Sequence, residues 1–125
     1  MHVTQDQVRV LIVDDQEAFR SAARLVVELT EGFTVAGEAA TGEDGVTMAA
    51  DLQPDVILMD MNLPGIDGPE ATRQILAANP GIKVIGLSTY DEYQNRAMAA
   101  GAVAFVSKGE FEPSRLLEAW TGAST

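Results

Sequence analysis

Five times along its 125 residues the chain passes from a short, apolar, β-branched run to a stretch whose apolar side chains recur at helical spacing. The first unit pairs "VRVLIV" (8–13) with "EAFRSAARLVVEL" (17–29), in which Phe19, Ala22, Ala23, Val26, Val27 and Leu29 fall on one helical face. The pattern then repeats as "FTVAGEA" (33–39) with 42–52, "DVILMD" (55–60) with 68–78, "IKVIGLS" (82–88) with 91–100, and "VAFVS" (103–107) with 113–120. Gly32, Gly42, Pro64 with Gly65, Pro80 with Gly81, Gly101 and Gly109 fall between the periodic segments, and Pro113 suits the first turn of a last helix. Strict strand–helix alternation predicts parallel strands joined by right-handed crossovers. Helices then cover both faces, and the strands are apolar on both sides.

A chain of this length builds one domain, predicted over 8–120, with a flexible N-terminal segment at 1–7 and a tail or linker start at 121–125. The longest apolar runs are strand-length, far below the roughly 18 to 20 residues that cross a bilayer. The polar start "MHVTQDQ" does not resemble a signal peptide, so a cytoplasmic protein is expected. Cys is absent, which excludes disulfides, thiolate metal sites and cysteine nucleophiles. Nineteen acidic against eight basic residues leave a net charge of −11, opposing direct contact with nucleic acid or an anionic membrane.

Ligands of an open parallel sheet bind beyond the carboxyl ends of its strands, so the strand ends carry the functional information. The first strand ends at Asp14 and Asp15, the third at Asp60, the fourth at Ser88 and Thr89, and the fifth at Ser107 and Lys108. The second ends in Glu38 and Ala39 and adds no comparable cluster. In a flavodoxin-like sheet of order 2-1-3-4-5, Asp14, Asp15 and Asp60 meet at one rim. Three carboxylates in one pocket hold protons or share a cation, and a hard oxygen-ligated ion such as Mg2+ suits them. The alternative is that Asp15 merely caps the following helix and Asp14 is solvated. A cation, the Lys108 ammonium and the Ser88 hydroxyl would together stabilise a phosphoryl group in transfer to Asp60, giving an aspartyl phosphate.

"LIVDDQ", "LMDMNLPGIDG", "GLSTY" and "AGAVAFVSK" together resemble the receiver domain of two-component response regulators. The resemblance spans about residues 8 to 120 and is strongest to the branch that usually carries a C-terminal helix-turn-helix domain. It implies that Asp14, Asp15, Asp60 and the Asn62 backbone carbonyl hold Mg2+, and that Asp60 accepts phosphate from a sensor histidine kinase. It also implies that Ser88, with Thr89, supplies the switch hydroxyl, that Lys108 pairs with phosphate, and that Phe105 is the switch aromatic. Gln16 and Tyr90 flank the pocket and are expected to tune water access. Such a domain catalyses only its own phosphorylation and dephosphorylation. The face of helix four, strand five and helix five would be read by a homodimer partner, an output domain or a downstream protein, with Tyr93, Met98, Leu116 and Trp120 as candidate contacts. Each of the four taken singly is expected in the core, since helical apolar stripes usually face inward.

Two positions depart from the usual pattern: Gly109 follows Lys108 where many relatives carry proline, which gives no ground for a cis peptide, and Phe105 lacks the commoner tyrosine hydroxyl. With no output domain after "TGAST", the chain reads as a truncated receiver or a stand-alone regulator. Three rival functions stand beside the switch: a phosphate-independent interaction module, a Mg2+-dependent phosphohydrolase and a flavin-phosphate binder. The hydrolase usually has a second carboxylate where this chain has Asn62, and Asp14, Asp15 and Glu17 would repel a flavin phosphate.

Overall fold

The computed structural model describes residues 7–122. Five strands, β1 (Val8–Val13), β2 (Phe33–Ala39), β3 (Val56–Asp60), β4 (Lys83–Ser88) and β5 (Ala104–Ser107), pair in parallel in the order β2-β1-β3-β4-β5. Between and after them run α1 (Glu17–Leu29), α2 (Gly42–Leu52), α3 (Gly68–Ala78), α4 (Gln94–Ala100) and α5 (Pro113–Gly122). The sheet order and alternation match the sequence expectation. The expected flexible N-terminal segment, apart from Gln7, and the last three residues of the expected tail lie outside the described residues. The last helix itself runs two residues beyond its expected end, to Gly122.

Strand side chains alternate between two cores, which is why these runs are apolar throughout rather than at every second position. Val10, Ile12, Leu58, Ile85 and Val106 pack with Ala23, Val27 and Leu116 of α1 and α5. Leu11, Val13, Ile57, Met59 and Val84 face the other way, onto Ala49, Ile75 and Ala97 of α2, α3 and α4. Leu116 is fully buried, as the inward-facing reading of an apolar helical stripe expects, whereas Met98 is 44% exposed. Tyr93 and Trp120 are partly buried against the two cores.

Local chemistry sets the helix starts. The Thr41 hydroxyl accepts from the Asp44 amide to cap α2, and Asp67 accepts from the Glu70 amide to cap α3, each at 3.0 Å. Gly42 opens α2, whose bounds match the expected 42–52. The helix expected over 91–100 begins instead as a 3-10 turn at Asp91–Tyr93, and no side chain caps either that turn or α4. The Tyr90 amide donates to Ser88 Oγ at 3.0 Å, and the Ser107 hydroxyl donates to Asp91 at 2.5 Å. These two bonds tie the leading turn to β4 and β5. Among the described residues no peptide bond is cis, and no helix is long and apolar enough to cross a membrane.

Candidate functional site

Each strand named by its polar end delivers that end to one rim. Asp15, Gln16, Asp60, Asn62, Ser88, Thr89, Tyr90 and Lys108 line a cleft of about 180 Å3, with Asp14 buried behind it. The β1 ladder continues one residue past the strand, where the Asp14 amide donates to the Ala39 carbonyl at 3.0 Å. The Asp14 side chain is thus held inside, 1% exposed, and its Oδ1 accepts from the Gln16 amide at 2.8 Å. Asp15 points to solvent, and Gln16 is the α1 N-cap residue without a side-chain cap bond. Neither part of the capping alternative holds: Asp14 is not solvated and Asp15 does not cap.

Asp60 closes β3 and is 3% exposed. Its Oδ1 accepts from the Asn62 amide at 3.1 Å and stands 3.5 Å from the Lys108 ammonium. Lys108 begins a short turn after β5, and its Nζ lies 2.6 Å from Asp14 Oδ2. Among the described residues that ion pair is the only polar contact of Asp14 Oδ2, which otherwise has no hydrogen-bond donor. Ser88 is 1% exposed at the end of β4, while Thr89 and Tyr90 are exposed on the following loop. Phe105 lies apart from this group: it is half-buried against the core with Tyr93 and does not line the cleft.

Three carboxylates and one ammonium leave the rim short of positive charge. Burial pushes the Asp60 carboxyl up from 3.8 to about 6; the Asn62 amide and Lys108 pull it down, and Asp14 and Asp15 push it further up. Between those two values the folded protein binds a proton that the unfolded chain does not, so Asp60 costs stability as pH rises through about 6. Asp60→Asn is therefore expected to stabilise the metal-free protein at pH 7 by about 1 to 2 kcal/mol, after allowing for water in the open cleft. The gain should shrink as pH falls from 6 toward 4, as urea titrations at several pH values would read. A variant no more stable than wild type at pH 7 would remove this reading of the site.

The residues suit a divalent cation. One oxygen each from Asp14, Asp15 and Asp60 lie within 4.8 Å of one another. Carboxylate oxygens together with water are the donor set that Mg2+ takes, and these three side chains supply it from one rim.

Several residues that build the rim carried no functional signal in the sequence. The Arg20 guanidinium donates to the Asp14 carbonyl at 2.8 Å and pairs with Glu38, which Arg24 also grips at 2.6 and 3.1 Å. The Arg24 hydrogen bond holds the Glu38 carboxyl below its ordinary range. Glu43 accepts from the Ile66 amide at 3.2 Å and so ties the loop after Asp60 to α2. Phe19, legible only as an apolar helix position, presents its ring 4.6 Å from Lys108 Nζ. Helical spacing shows which residues face the sheet, but not which of them reach its rim.

A parallel sheet of this order is the flavodoxin-like arrangement that CheY shares, with the functional rim at the carboxyl ends of its strands. The response regulator receiver domain family model matches residues 10–121, and the chain belongs to that family. It is 41% identical over 104 residues to the response regulator GacA of Pseudomonas aeruginosa, an alignment covering 82% of this chain and 49% of GacA. The response regulator UvrY of Escherichia coli is 42% identical over 104 residues, covering 82% of this chain and 48% of UvrY. The chain spans about half the length of these curated relatives. Among solved structures, the receiver domain of the NarL response regulator from Mycobacterium tuberculosis aligns with a TM-score of 0.87 at 26% identity, covering 96% of this chain and 98% of that one. A LuxR-family response regulator from Aurantimonas aligns with a TM-score of 0.84 at 29% identity, covering 93% and 84%.

Proposed function

We propose that the domain is a cytoplasmic phospho-aspartate switch in which Asp60 takes a phosphoryl group from a sensor histidine kinase. The observation that carries this reading is the convergence, from three separate strand ends, of the Asp14, Asp15 and Asp60 carboxylates within 4.8 Å of one another at one rim, with Lys108 in ion-pair reach of Asp14 and Asp60. Asp14, Asp15, Asp60 and the Asn62 carbonyl would hold Mg2+, which when bound supplies positive charge against the phosphoryl oxygens.

The Asn62 amide occupies Asp60 Oδ1, so Oδ2 is the attacking oxygen. A new O–P bond forms on Oδ2 as the donor's P–N bond breaks, and the electron pair leaves with the imidazole nitrogen. At pH 7 most of the Asp60 population is ionised and competent to attack. Lys108 donates to one transferred oxygen from its position between Asp14 and Asp60, and Ser88, with Thr89 beside it, donates to another. Gln16 and Tyr90 stand at the mouth and govern the approach of hydrolytic water. Drawing Ser88 inward pulls on the Tyr90 amide it holds and moves the turn ahead of α4. Phe105 then follows into the vacated space and alters the α4–β5–α5 face. A homodimer partner, an output domain or a downstream protein would read that change, with Met98 as its exposed apolar contact.

Incubation with Mg2+ and acetyl phosphate should add one phosphoryl group by intact mass, and Asp60→Asn should add none. An unmodified wild type would favour a phosphate-independent interaction module, and turnover of added phosphoesters would favour a hydrolase.

A further inference from the structure

We propose that Phe19 is a positioning residue for phosphoryl uptake, its ring face holding the Lys108 ammonium beside Asp60. The proposal rests on the phospho-acceptor reading of the cleft.

Lysine is a flexible four-carbon stem ending in a point charge, so nothing in the residue itself fixes where the charge sits. Two carboxylates hold Nζ, at 2.6 Å from Asp14 and 3.5 Å from Asp60. Left to these alone, the ammonium would stay on the nearer one, and phosphoryl uptake needs it free to turn toward the cleft. The Phe19 ring meets the same ammonium at 4.6 Å from its centroid, within cation–π range. An aromatic face attracts the cation without a directional hydrogen bond, so it steadies Nζ while leaving its three N–H groups free to exchange carboxylate for phosphoryl oxygens.

The surroundings strengthen the contact. The Lys108 side chain is only 11% exposed, so little water competes with the ring. The ring is itself braced, tilted at 42° against Phe111 with centroids 6.3 Å apart. Phe19 is the third residue of α1, four positions after Asp15, so one rigid element carries both the acidic loop and the platform for the lysine. Phe19 touches no reacting atom and transfers no proton.

The test compares wild type, Phe19→Leu, Phe19→Tyr, Lys108→Met and the Phe19→Leu, Lys108→Met double variant. Phosphorylation by acetyl phosphate with saturating Mg2+ is followed by intact mass. Phe19→Leu keeps the apolar bulk and should slow uptake about 3- to 10-fold, the range for a largely desolvated cation over an aromatic face. Phe19→Tyr keeps the face and should restore the wild-type rate. In the Lys108→Met background, Phe19→Leu should change the residual rate no further. NMR of the metal-free protein gives an independent readout: the Lys108 ε-methylene protons should show an upfield ring-current shift that Phe19→Leu abolishes and Phe19→Tyr retains. Equal rates for wild type and Phe19→Leu, or equal slowing with and without Lys108, would overturn the proposal as a mere packing effect. A wild type that takes up no phosphoryl group overturns the acceptor reading and this role with it, and that control separates the two failures.

Discussion

Gly68→Ala is expected to destabilise the domain by about 3 kcal/mol and to lower its melting temperature by roughly 10 °C. Gly68 is the first residue of α3, and it lets the helix start lie directly on the end of the acceptor strand. A Cβ there would stand 2.2 Å from the Asp60 carbonyl oxygen and 2.5 Å from Met61 Cα. Both are backbone atoms of a buried strand end, so no rotamer change relieves the overlap and α3 must move. The better helix propensity of alanine, worth at most about 1 kcal/mol, offsets only part of that cost. Because the helix rests on the Asp60 backbone, the same shift should displace the acceptor carboxylate. Gly109→Ala is the control, since a Cβ there meets nothing within 4 Å and should change stability by less than about 0.5 kcal/mol. Equal melting of the two variants would show that α3 does not depend on this close approach.

Lys108→Met should destabilise the metal-free domain by about 2 to 3 kcal/mol near neutral pH. The substitution keeps the apolar stem and removes the sole polar partner that Asp14 Oδ2 has among the described residues, in a residue 1% exposed. It also removes the one ammonium that lowers the Asp60 pKa, so that pKa should rise further above its wild-type value. The full cost of an unpaired buried charge is larger, but the cleft opens to water and the lysine gives up its own desolvation cost when it goes. Mg2+ should raise the melting temperature of Lys108→Met more than that of wild type, because the ammonium no longer competes for Asp14. A variant as stable as wild type without metal, or one indifferent to Mg2+, would contradict the pairing.

The sheet and the polar rim were legible in the sequence for one reason. Parallel strands buried on both faces must be apolar, so the first charged residue after each run marks where the strand leaves the core. That rule located Asp14, Asp60 and Lys108, and the hydroxyl that closes the fourth run marked Ser88 in the same way; their register follows from the strands themselves. It is silent on how the rim is buttressed, because Arg20, Glu43 and Phe19 act through side-chain contacts between different elements, which periodicity along the chain does not encode. Met98 shows the converse. Helical spacing marked Met98 and Leu116 alike as apolar positions expected inside, but Leu116 packs into the core while Met98 lies exposed. The start of α4 also escaped, since a run of helix-compatible residues gives no warning that hydrogen bonds to Ser88 and Ser107 will wind its first turn tighter.

Calorimetric titration with Mg2+ tests most directly whether carboxylates 45 positions apart, Asp15 and Asp60, act as one cation site. The expected result is a single site per chain in the wild type, weakened at least about tenfold by either Asp15→Asn or Asp60→Asn alone. Absence of Mg2+ uptake by the wild type, or binding that survives the loss of Asp60 unchanged, would contradict the shared site.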